Sequence, residues 1–60
     1  MQEIEIREYA QQLLERNGDK AVVIAANKAR SFAEKGDGKE STTWRRIEAA
    51  LKLMRGPNQG

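Results

Sequence analysis

Sixty residues with 38% hydrophobic side chains, 11 basic and 9 acidic groups (net +2), and neither cysteine nor histidine make one small domain at most. The composition excludes a disulfide framework, the usual zinc sites and every catalytic set built on histidine or cysteine. The mixed charge is that of a solvated surface rather than of a nucleic-acid polycation, and so small a core calls for regular helix packing, with homodimerisation as a further source of stability.

The opening stretch, Met1 to Arg7, is charged and has no apolar signal core. The longest apolar run, Ala21 to Ala26, is far too short to span a membrane. A cytoplasmic protein with no membrane partner is expected. The first predicted helix covers Glu3–Arg16, because Ile6, Tyr9, Ala10, Leu13 and Leu14 recur at helical spacing while Glu5, Glu8, Gln12 and Glu15 lie opposite. Asn17-Gly18 ends it, since either residue tolerates the left-handed conformation of a helix stop.

A second helix is predicted over Asp19–Lys35, with Asp19 as N-cap. Its stripe is Val22, Ala25, Ala26, Ala29, Phe32 and Ala33, a small-residue face that lets a neighbour approach closely with Phe32 as the one bulky plug. Val22, Val23 and Ile24 are β-branched, but the alanine-rich continuation shows no alternation, so a strand is rejected. Gly36-Asp37-Gly38 breaks this helix. Asp37 and Glu40 have the spacing of a capping box, with Ser41 or Thr42 as the alternative cap.

The third helix is predicted over about Glu40–Arg55, so that the fold class is all-α, a three-helix bundle. Trp44, Ile47, Leu51 and Met54 follow one another at steps of three and four, the signature of one buried face. Leu13, Phe32, Trp44, Ile47 and Leu51 are the expected core, with Trp44 docked on the alanine-rich helix. Gly56-Pro57 stops the chain's last helix, and Asn58 to Gly60 read as a frayed tail. The acid-first pairs Glu3/Arg7 and Glu48/Lys52 support the first and third helices.

The residues that carry chemistry in enzymes are missing or isolated. Ser31, Ser41, Thr42 and Thr43 have no histidine base, and Glu5 and Glu8 sit on a solvated face. Gly36-Asp37-Gly38 lacks the strand that precedes a phosphate loop. Asp37 and Glu40 are too few ligands for a calcium loop. No catalytic, cofactor or metal residue is assigned, no small-molecule substrate is indicated, and the chain reads as a non-enzyme.

What remains is surface. Val23, Ile24 and Leu53 fall off the main stripes, as does Ile4. Arg45, Arg46, Lys52 and Arg55 are basic positions of the third helix, with Glu48 among Arg45, Lys52 and Arg55 on the outer face. The candidate interaction surface is therefore Val23, Ile24, Leu53, Arg45, Arg46, Lys52 and Arg55. The expected function is a small protein-interaction or regulatory module whose helix faces meet a protein partner or a second copy. The alternative is a nucleic-acid-binding regulator using the basic residues of the third helix, as in three-helix DNA-binding domains. Arg45 and Arg46 project about 100° apart, which splits the basic set.

The stretch Ile6 to Arg55 resembles a family of short, uncharacterised bacterial helical proteins. The resemblance is carried by Leu13-Leu14-Glu15-Arg16-Asn17-Gly18-Asp19, by Ile24-Ala25-Ala26-Asn27-Lys28-Ala29, by Gly36-Asp37, and by Trp44-Arg45-Arg46-Ile47 with Ala50 and Met54. Gly38 to Thr43 depart from that pattern, which has a more alanine-like lead-in. The resemblance implies a helical fold in a cytoplasmic bacterial setting and assigns no functional residue.

Overall fold

A computed structural model describes residues 2–55, apart from the Arg55 side chain. The described residues form three helices, α1 (Glu3–Asn17), α2 (Lys20–Glu34) and α3 (Gly38–Arg55), with every pair in contact and the α2–α3 interface the most extensive. No strand is found among the described residues. The expected stop at Gly56-Pro57 and the expected tail at Asn58 to Gly60 lie outside the described residues.

Each boundary has a local chemical cause. At the start of α1 the Gln2 N–H donates to the Glu5 carboxylate at 2.9 Å, and Glu3 and Glu5 place negative charge at the positive end of the helix dipole. Gly18 ends α1 with φ at +60°, its N–H on the Leu14 carbonyl at 2.7 Å. The side-chain amide of Asn17 donates back to the Leu13 carbonyl at 3.1 Å. Asp19 occupies the N-cap position of α2, yet its backbone is already helical and its carboxylate makes no capping hydrogen bond. The expected cap is therefore corrected: a residue with helical ψ aims its side chain away from the first-turn amides.

The turn between α2 and α3 is tighter. Gly36 (φ +84°) sends its N–H to the Ala33 carbonyl at 3.1 Å, and Asp37 sends its own to the Phe32 carbonyl at 2.8 Å. This paired closure is the Schellman arrangement, for which a left-handed glycine is the favoured residue. Asp37 then caps the next helix, its carboxylate accepting from the Glu40 N–H at 3.2 Å. One residue thus closes α2 and opens α3, which settles the choice between Asp37 and Ser41 or Thr42 and starts α3 at Gly38 rather than Glu40. Asp37→Ala should lower stability by about 1 kcal/mol, the usual cost of losing an N-cap, measurable as a drop in the urea midpoint at constant slope.

Ser41 has a different task. Its hydroxyl donates to the Ala29 carbonyl at 3.0 Å and so pins the register of α3 against α2. On α1, Tyr9 meets Trp44 edge to face, with ring centroids 5.5 Å apart. Glu3, Ile6 and Arg7 face Arg46, Ala49, Ala50, Leu53 and Met54. Along α1, then, contacts move backwards along α3, so the two helices run in opposite senses where they touch. α2 also runs opposite to α3 across its short turn. Only Gly18 and Asp19 separate α1 from α2, and α1 contacts both of the other helices.

The core is made of Ile6 and Ala10 from α1, Ala21, Ala25 and Ala29 from α2, and Ile47 and Leu51 from α3, all buried. The alanines of α2 recur every fourth residue and form a seam that α3 closes upon. Alanine serves twice here, as the best helix former and as the side chain that keeps two helix backbones close. Ile47 and Leu51 are as expected, whereas Leu13, Phe32 and Trp44 are half-buried. Phe32 lies near the end of α2, where Lys35 places its ammonium 5.5 Å from the ring centre in a cation–π contact. It is not the plug of the seam, because the seam is already filled by alanine. Trp44 packs on the core's edge, and the ring it meets belongs to α1 rather than to the alanine-rich helix.

Candidate functional site

The crossing of α1 over α3 leaves a half-open groove of about 530 Å³, lined by Glu3, Ile6 and Arg7 of α1 and by Arg46, Ala49, Ala50, Leu53 and Met54 of α3. Its origin is the helical repeat. Arg46, Ala49, Ala50 and Leu53 share one face of α3 at steps of three and four, about a third of a turn from the buried Ile47 and Leu51. Ala49 and Ala50 are too small to fill the space between the helices, and Leu53 stands at the lip with 82% of its surface exposed. Met54 and Ala50 are half-buried and continue into the core.

Charge is distributed unevenly around α3. Glu48, half-buried, holds Arg45 at 3.8 Å on one side and Lys52 at 3.5 Å on the other. The outer face therefore carries a shared, partly neutralised cluster, as the Glu48/Lys52 spacing predicted. Arg46 is on the groove face, opposite Arg7 of α1. No ion pair within 4.0 Å joins Glu3 to Arg7 among the described residues, so the pairing expected there is not formed. A second, shallow notch on the outer face of α1 is lined by the polar residues Glu8, Gln11, Gln12 and Glu15. No group of three or more potential ligand side chains among the described residues could hold a metal ion.

The seven residues singled out from sequence do not form one patch. Arg46 and Leu53 come together in the groove. Arg45 and Lys52 meet at Glu48, on another face. Val23, 58% exposed, and half-buried Ile24 belong to α2 and do not line the groove. The side chain of Arg55 lies outside the described residues. Sequence reasoning missed Glu3, Arg7, Ala49 and Ala50 as site residues; it read Ile6 and Met54 as stripe residues, which Ile6 is, buried in the core, while both also line the groove. The available signal was Ala49-Ala50 beside Leu53, an apolar triplet off the main stripe; nothing in the sequence showed that α1 would cross at that point.

Among the described residues, the fold and site define a small all-α three-helix bundle with a groove between α1 and α3 that has an alanine floor and is flanked by arginines. No family model, no curated protein and no solved structure matches the chain. No helix among the described residues is long and apolar enough to cross a membrane.

Proposed function

We propose that this chain is a small, non-enzymatic protein-interaction module whose working surface is the groove between α1 and α3, in a cytoplasmic and bacterial setting. The observation that carries the reading is Leu53: a large apolar side chain, 82% exposed, beside half-buried Ala50 and Met54. A lone exposed leucine needs no explanation. One that extends a concave apolar surface continuous with the core is a feature of binding grooves. The non-enzymatic part rests on the missing histidine and cysteine and on hydroxyls without a base.

The nucleic-acid alternative is the weaker reading. Phosphate recognition draws its strength from several cations acting on one field. Here Arg45 and Lys52 share Glu48, and Arg46 faces away from them. Leu53→Lys is the direct test. It alters an exposed position, so stability should change by no more than about 0.5 kcal/mol, while retention of a protein partner on the immobilised chain should be lost. A wild-type chain that retards short DNA or RNA at low salt and releases it as salt rises would replace this reading with the alternative.

A further inference from the structure

We infer that the α1–α3 groove receives the apolar face of an amphipathic helix from a different protein, one whose flanking side chains are acidic; the inference rests on the reading of the chain as an interaction module. Three features specify the occupant. The first is shape. Ala49 and Ala50 form a low floor between Ile6 and Leu53, so the groove accepts bulky side chains rather than supplying them. From Arg46 to Leu53 the α3 wall runs about 10 Å at 1.5 Å per residue, the reach of two successive anchors on a helix. Both walls are helical and their backbone groups are bonded within the helices, so there is no sheet edge for an extended peptide to join.

The second feature is charge. Arg7 and Arg46, one on each wall, have no ion-pair partner within 4.0 Å among the described residues, whereas Arg45 and Lys52 on the outer face share Glu48. Among the described residues, Glu3 is the one carboxylate on the groove. Two uncommitted guanidinium groups flanking an apolar floor suit carboxylates flanking an apolar stripe, since arginine binds carboxylate through paired N–H donors.

The third feature argues against a second copy. A symmetric dimer places the same patch against itself. Joined through this groove, two copies would bring four arginines and two glutamates together around a closing apolar contact, and like charges so placed oppose association. A partner of opposite charge meets no such penalty.

The test uses two synthetic helices of about 14 residues, roughly 20 Å long, with leucines on one face flanked by glutamates in one and by lysines in the other. Each is titrated into the isotope-labelled full chain, with amide shifts followed by NMR. The acidic helix should bind at least about ten-fold more tightly, a difference of about 1.4 kcal/mol, with shifts centred on Arg7, Ala49, Ala50 and Leu53. The double variant Arg7→Glu/Arg46→Glu, altered only at exposed positions and checked by circular dichroism, should reverse the preference. Equal binding of both helices would overturn the acidic specification and leave the interaction module standing. Binding of neither, with the same amides moved by a DNA duplex, would overturn both. Binding of neither, with groove amides that shift on self-association, would assign the groove to a second copy and overturn the inference.

Discussion

Leu51→Ala should remove most of this chain's stability and leave it largely unfolded at room temperature. Among the described residues, Ile47 and Leu51 are the largest fully buried side chains, and four of the seven buried core residues are alanines, which contribute little burial each. Truncating a buried leucine costs about 2–5 kcal/mol, the lost transfer energy plus the cavity left behind. A domain of this length has roughly 3–9 kcal/mol in total at 0.05–0.15 per residue. With so few large side chains in the core, the lower part of that range applies. Urea unfolding followed by far-ultraviolet circular dichroism would show the transition displaced towards zero denaturant. Leu53→Ala, two residues away but exposed, should stay within about 0.5 kcal/mol of wild type. Similar midpoints for the two variants would mean that the α3 stripe does not face the core as described.

Ala25→Leu should be almost as harmful, for the opposite reason. Ala25 is fully buried in the seam between α2 and α3, in one cluster with Ile47 and Leu51. Leucine is more hydrophobic and nearly as good a helix former, so burial and propensity alone would favour the change. The seam has no room for it. Overpacking a filled core forces side chains off their rotamers and moves backbones, at about 1–3 kcal/mol. The added bulk would also lengthen or break the Ser41–Ala29 hydrogen bond that fixes the register of α3. Ala33→Leu, on the exposed side of α2, should be close to neutral. A lowered urea midpoint for the first and an unchanged one for the second are the expected results. A stabilised Ala25→Leu would show that the two helices are not in close contact there.

These two positions also show what could be read from sequence. The three helices and both breaks follow from local chemistry. Hydrophobic spacing, Gly18, Gly36 and Asp37 act within a few residues of themselves, and local effects are visible in a string of letters. Ile47 and Leu51 follow from the same spacing. Phe32 and Trp44 show the limit: size and period place both in the core, yet the alanine seam already fills the space, leaving them half-buried at its margin. Asp19 fails as a cap for a related reason, because capping depends on a backbone conformation that residue type alone does not set.

The candidate site was legible only in part. Arg46 and Leu53 stand out because they break the stripe of α3. Their meeting with Arg7 and Ile6 depends on how α1 packs on α3, and that is set by contacts between distant parts of the chain. Periodicity separates the faces of one helix; it does not say which face of another helix will come opposite. The same restriction hid the contrast between the arginines. Arg45 and Arg46 are neighbours in sequence, but one is engaged by Glu48 and the other borders the groove.

The most direct measurement is site-specific photo-crosslinking in cells that make the protein, with the reactive residue placed at Leu53 in one experiment and at Arg45 in another. A groove that works by receiving a partner helix should give a discrete protein adduct from position 53 and little from position 45, and Arg7→Glu/Arg46→Glu should abolish the adduct. Adducts of equal yield from both positions, or adducts to nucleic acid from position 45 alone, would contradict the assignment of the α1–α3 groove as the surface through which this chain acts.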